Sequence, residues 1–232
     1  MGVLDPRALH RPTLTGHAKR TTHLRGFLLG RNYYMAAEAM DFASSFHTGT
    51  RKDGSTPEFA HQVYIVSYLT TLLPHLRHPE ETLAVGFLHD VCEDYPVSFE
   101  EIDRLFGERV GEAIRPLTKK YQGFKRDAHE VIIAQQGNPI SSVVKGVDRF
   151  NNQQTSPGVF SQTKILSYLD ETRGDIIPML KVARRRFPDQ DLAYQNVKTV
   201  LFAQIELLEA ALAGLVLRAP EVDKREEAEG GT

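Results

Sequence analysis

Leu83-Ala84-Val85-Gly86-Phe87-Leu88-His89-Asp90-Val91-Cys92-Glu93-Asp94 is the stretch that decides the fold. An apolar run closes on four ionisable groups. Read as a helix at about 100° per residue, it gathers His89, Asp90, Glu93 and Asp94 within roughly 140° of one face. Val85, Leu88, Val91 and Cys92 fall opposite and suit burial. The pattern predicts a helix that packs by one side and presents an imidazole and three carboxylates on the other. Carboxylates this close repel one another unless positive charge sits among them. A divalent metal would supply it, since imidazole and carboxylate are its usual ligands.

A second stretch repeats the design. Over residues 141–154, Lys145, Asp148, Arg149 and Asn152 occupy roughly 100° of a helical wheel, with Val143, Val144, Val147 and Phe150 on the other side. Working outward, residues 33–46 read as a core helix. Residues 47–57 form a loop of glycines, Pro57 and Ser/Thr that contains Arg51 and Lys52. Residues 59–73 form a second helix carrying His61, and Pro79 opens the helix expected to run through His89-Asp90 to about Tyr95. Downstream, Ser98-Phe99-Glu100-Glu101 is a capping box. It starts a short helix over 99–106 closed by Gly107, and another follows over 108–117. Lys119, Lys120, Lys125 and Arg126 crowd the next connector, and 127–136 reads as helical. Residues 160–186 and 189–217 read as two long amphipathic helices.

No stretch alternates over a strand's length, so the expected fold is all-α, a single domain of about eight to ten helices. It would span 32–217, with a helical extension from about 156 and a charged tail at 218–232. Residues 1–31 hold Arg7, Arg11, Lys19, Arg20, Arg25 and Arg31 against Asp5. They read either as a loosely ordered arm or flap on the domain, or as an organelle-targeting peptide.

The 232 residues are 41% hydrophobic and 25% charged, as in ordinary globular domains. With 28 basic and 30 acidic residues, bulk nucleic-acid or membrane-surface binding has no electrostatic support. No apolar run approaches the ~20 residues a bilayer span needs. Pro6 stands where a myristoylation signal wants Ser or Thr. One cysteine, Cys92, rules out an intramolecular disulfide and suits a reducing, cytoplasmic setting.

His61, His89, Asp90 and Asp148 are the candidate metal ligands. Two imidazoles and two carboxylates suit manganese, iron or zinc better than calcium. Such an ion acidifies a bound water toward neutrality. Glu93 and Asp94, one turn on, are placed to orient or deprotonate it. The other reading of that pair is a solvated helix end, but negative charge is unfavourable at a helix C-terminus. Arg51, Lys52 and Lys145 would suit a phosphate-bearing substrate. No phosphate-binding glycine motif and no nucleophile motif is present.

Taken together, these motifs resemble the HD-domain hydrolase module of RelA/SpoT homologues and the small alarmone hydrolases. The shared positions are His47-x-x-x-Arg51-Lys52-x-Gly54, His61, His89-Asp90-x-x-Glu93-Asp94, Phe106-Gly107, Leu117-Thr118-Lys119 and Lys145-x-x-Asp148-Arg149-x-x-Asn152, in family order over roughly residues 33–155. The resemblance implies an all-helical fold and one metal ion, usually manganese, on His61, His89, Asp90 and Asp148. It implies removal of pyrophosphate from the ribose 3′ position of guanosine tetra- or pentaphosphate. Glu93 and Asp94 would activate water, Arg51 and Lys52 would line the nucleotide site, and Asn152 would contact it. Gln62 and Asn151 stand where the family usually has Pro and His. Two alternatives stay open: the same site acting on adenosine alarmones or the 2′-phosphate of NADPH, and a non-catalytic nucleotide-binding regulator. Neither oligomeric state nor true substrate is readable.

Overall fold

Four helix starts are fixed by side chains that accept the backbone N–H groups a first turn leaves unpaired. Ser98 Oγ takes Glu101 N at 3.1 Å, as its capping box requires. Asp127 Oδ1 takes His129 N and Glu130 N, Asn138 Oδ1 takes Ile140 N and Ser141 N, and Ser161 Oγ takes Lys164 N. In this computed structural model residues 14–216 are described, and they form twelve α-helical segments and one short hairpin. The helices are α1 (Leu14–Gly30), α2 (Tyr34–Phe46), α3 (Ala60–Leu69), α4 (Pro79–Leu88), α5 (Val91–Asp94), α6 (Phe99–Phe106) and α7 (Glu108–Leu117). After the hairpin come α8 (Ala128–Gln136), α9 (Pro139–Gln154), α10 (Gln162–Glu171), α11 (Ile177–Arg186) and α12 (Asp191–Val216). Between α6 and α7 the chain turns at Gly107, whose φ of 86° a side chain would strain.

The centre is α4 and α9. Helix α4 packs against α2, α3, α7 and α9, while α9 packs against α3, α4, α7, α8, α11 and α12. Enclosed this way, Leu83 through Leu88 are all fully buried. That corrects the expectation of a helix with one solvent-facing side. The α3–α4 approach is close, since a Cβ on Gly86 would lie 2.9 Å from both Leu69 Cδ1 and Val66 Cγ2.

The expected boundaries shift where the ladder is interrupted. Helix α4 ends at Leu88 instead of running on; Asp90 widens to φ −102°, and the ladder restarts as Asp94 N bonds Asp90 O at 2.9 Å. At this break the two adjacent side chains reach each other, with His89 Nε2 2.9 Å from Asp90 Oδ2. Residues 59–73 divide into α3 and a 3-10 turn over Thr70–His75 that contains Pro74. The long helix expected over 160–186 divides into α10 and α11 around a π-helical turn, Thr172–Ile176.

Two further differences concern the basic segments. The connector after α7 is a hairpin, β1 (Lys120–Tyr121) paired antiparallel with β2 (Phe124–Lys125). Gln122 and Gly123 at positive φ supply the turn. Of the expected N-terminal arm, residues 14–30 form helix α1. Its Leu24 and Leu28 sit in the core, while Arg25 pairs with Asp41 and Arg20 lies over the Tyr64 ring. The first thirteen residues and the charged tail lie outside the described residues. Among those described, no helix is long and apolar enough to cross a membrane.

Candidate metal and phosphate site

His61 is held in the first turn of α3, His89 and Asp90 at the break after α4, and Asp148 in the middle of α9. The fold brings the four together. His61 Nε2 lies 3.2 Å from Asp148 Oδ1 and 3.8 Å from Asp90 Oδ2. His89 Nε2 lies 2.9 Å from Asp90 Oδ2 and 3.9 Å from Asp148 Oδ1. Ligands about 2.1 Å from a shared ion stand roughly 3.0–3.5 Å apart, so these separations need little adjustment. Atoms of His61, His89 and Asp90 all fall within 4.8 Å of one another. His89 Nε2 is also buried without a directed hydrogen bond, an orphaned nitrogen aimed at the carboxylates. The donor set and its geometry fit a divalent cation.

The charges at the cluster are mutually dependent. Burial works against a charged His89, but the Asp90 and Asp148 carboxylates outweigh it and push the imidazole up to about 9. Burial would likewise raise Asp90, yet the His89 charge beside it holds that carboxyl at about 2. Asp148, opposed by burial but facing Lys145, is held well below the usual carboxylate range.

Lys145 corrects a sequence reading. Expected on an open polar face, it is buried, and its Nζ donates to Asp148 Oδ2 at 2.6 Å. Asn152 Nδ2 donates to Asp148 Oδ1, also at 2.6 Å. The polar face of α9 thus packs inward, around Asp148. Arg149 is buried against Glu171 of α10 and over the Tyr168 ring.

Beside this cluster opens a cavity of about 450 Å³. Arg51, Lys52, Lys145 and Asn152 all line it, as do Glu93 and Asp94. Arg51 and Lys52 are presented by a loop that Asp53 braces: its carboxylate accepts from Ser55 N and Thr56 N at 2.8 Å. Arg51 Nη2 reaches to 3.5 Å from Thr155 Oγ1. Glu93 is fixed by the Lys119 backbone N–H, 2.6 Å from its Oε2. Asp94 stands at the rim with its side chain partly open to solvent, and partial desolvation by the cavity wall together with the Asp90 and Glu93 charges pushes its carboxyl up to about 6. Proton exchange near neutrality suits that value.

Sequence reasoning missed several contributors. Phe160 and Tyr168 of the extension form an aromatic wall, with the Lys52 ammonium 5.3 Å from the Phe160 ring. Lys119 was legible as part of a basic cluster and of the Leu117-Thr118-Lys119 motif, with no role at the site; it lines the cavity, and the Lys145 charge together with burial pulls its ammonium below its ordinary range. Asn151, noted only as a departure, meets His61 Nδ1 at 2.7 Å. Gln62, the other departure, meets His47 Nε2 at 2.8 Å.

Residues 39–120 match the HD domain family. A probable guanosine-3′,5′-bis(diphosphate) 3′-pyrophosphohydrolase of Synechocystis is 28% identical over 185 residues, covering 75% of this chain and 24% of the relative. The guanosine-3′,5′-bis(diphosphate) 3′-pyrophosphohydrolase of Aquifex aeolicus is 29% identical over 146 residues, 61% of this chain and 20% of the relative. The chain therefore spans about a quarter or less of the length of these relatives. Among solved structures, a metazoan orthologue of SpoT, described as hydrolysing ppGpp, superposes with a TM-score of 0.53 at 21% identity, over 70% of this chain and 93% of that one. That likeness supports the all-helical fold. Over residues 39–120 the chain is thus similar to the HD domain family, and its relatives include RelA/SpoT-type alarmone enzymes.

Proposed function

We propose that this chain is a metal-dependent phosphohydrolase that removes the 3′-pyrophosphate from guanosine tetra- or pentaphosphate, giving GDP or GTP and pyrophosphate. One observation carries the reading. Two imidazoles and two carboxylates from three parts of the chain converge beside a cavity that holds both cations for phosphate and carboxylates for water. The names of the Synechocystis and Aquifex relatives supply the substrate.

His61, His89, Asp90 and Asp148 would hold the ion, with manganese as the proposed metal. When bound, it supplies Lewis acidity and a water acidified toward neutrality. Glu93, braced by the Lys119 amide, would orient the attacking water, and Asp94 would take its proton. Arg51 and Lys52 position the phosphates. Lys145 and Asn152 act one step further out, holding Asp148 in place. The water oxygen bonds to the phosphorus carried on the ribose 3′-oxygen, the bond between that phosphorus and the 3′-oxygen breaks, and the leaving 3′-oxygen takes up the proton that Asp94 removed from the water. The setting we propose is cytoplasmic.

The test is incubation of purified, manganese-loaded protein with guanosine tetraphosphate. GDP and pyrophosphate in equal amounts are expected. Metal-loaded, folded protein that releases neither overturns the proposal.

A further inference from the structure

We infer that Asn151 is a positioning residue for His61: its side-chain oxygen accepts the Nδ1 proton and so keeps Nε2 bare toward Asp90 and Asp148. The inference rests on the metal-site reading above and deepens it.

Three histidines stand in or beside the site, His47 and His61 lining the cavity and His89 behind it, and their ring nitrogens are engaged differently. His89 Nδ1 lies 3.0 Å from the Gly86 carbonyl oxygen. A carbonyl oxygen can only accept, so Nδ1 keeps its proton and Nε2 is the nitrogen that gives its proton up to a cation. His47 Nδ1 is held the same way, 2.9 Å from Ala43 O. Its Nε2, however, is occupied by the Gln62 amide nitrogen at 2.8 Å, which closes that ring to a cation.

His61 follows the His89 pattern with one difference. Its Nδ1 meets an amide oxygen, Asn151 Oδ1, at 2.7 Å, and its Nε2 faces the two carboxylates. No backbone carbonyl does this work; a side chain from α9, 90 positions away, does it instead. Both partners are buried, at 6% and 2% exposure, so water cannot readily replace the lost acceptor. Turning the amide end for end would put its NH₂ against Nδ1, move the ring proton to Nε2 and block the nitrogen. The oxygen-first orientation of Asn151 is thus a condition for His61 to ligate. Outer acceptors of this kind set tautomer and ring orientation at metal-binding histidines.

The experiment uses the full chain and three variants, N151L, N151A and N151D, with manganese titrated calorimetrically. N151L and N151A remove the acceptor and should weaken manganese binding about ten- to a hundredfold. N151D restores an acceptor and should stay within about threefold of wild type. A second readout needs no variant: in ¹⁵N spectra of the zinc-loaded protein, His61 should carry its proton on Nδ1. Wild-type protein that binds no metal would sink the metal-site reading itself. Wild type that binds, with N151L binding equally well or His61 protonated at Nε2, would overturn this inference alone.

Discussion

Metal binding should expel a proton. In the metal-free site His89 is fully enclosed, yet Asp90 at 2.9 Å and Asp148 at 3.9 Å push it up to about 9. The proton occupies the position a cation would take, and a coordinating imidazole must be neutral. At pH 7, two units below that value, about one site in a hundred is ready, so apparent affinity falls roughly a hundredfold below its limit. The sign follows directly. Raising the pH strengthens binding about tenfold per unit until the pH nears 9. Titration calorimetry with manganese at pH 6.5, 7.0 and 7.5, in buffers of different ionisation enthalpy, measures both the slope and the protons released. Close to one proton per ion is expected. The same pair makes the metal-free protein pH-sensitive. His89 is raised above its unfolded value of 6.5, so its stabilisation is complete below about pH 6.5 and is lost as the pH climbs through 9. The raised His89 corresponds to about 3 kcal/mol, and the lowered Asp90 carboxyl is the same interaction seen from its partner, so it is one contribution. Manganese affinity that is flat across this range with no proton release would refute the reasoning.

Asp148→Ala strips Lys145 of its partner and leaves an ammonium buried, so urea unfolding of the metal-free protein should show about 3–5 kcal/mol lost; a loss under about 1 kcal/mol would contradict the burial of that pair. Glu93→Ala should keep manganese affinity within about threefold while turnover of guanosine tetraphosphate falls about 10²–10⁴-fold; loss of the metal instead would reassign Glu93 as a ligand. Gly86→Ala places a methyl 2.9 Å from Leu69 Cδ1 and Val66 Cγ2, so thermal unfolding should show about 1–3 kcal/mol lost through overpacking; an unchanged midpoint would mean that α3 and α4 are not this close.

How far the chain could be read before its structure depended on the range of the interaction. Cap residues act over three positions, so the start of α6 was legible from the Ser98 capping box and that of α8 fell near 127 as expected, whereas α9 starts at Pro139 behind an Asn138 cap, two residues before the expected 141. The four site residues were legible because each stood out as polar on an otherwise apolar helix. A helical wheel, however, cannot distinguish a polar face that meets water from one that meets a buried partner. Lys145 and Arg149 therefore read as surface cations, although Asp148 and Glu171 enclose them. The break at Asp90 has no proline or glycine to announce it. The hairpin after α7 escaped because two-residue strands have no periodicity to detect. Asn151 escaped because its partner lies on another helix.

The central claim is that residues from α3, the α4–α5 break and α9 close on one cation. Anomalous diffraction from crystals grown with manganese tests it most directly. The account predicts one strong peak per chain, about 2.0–2.3 Å from His61 Nε2, His89 Nε2 and a carboxylate oxygen of both Asp90 and Asp148. Manganese bound elsewhere, or at only one of the two imidazoles, would contradict it.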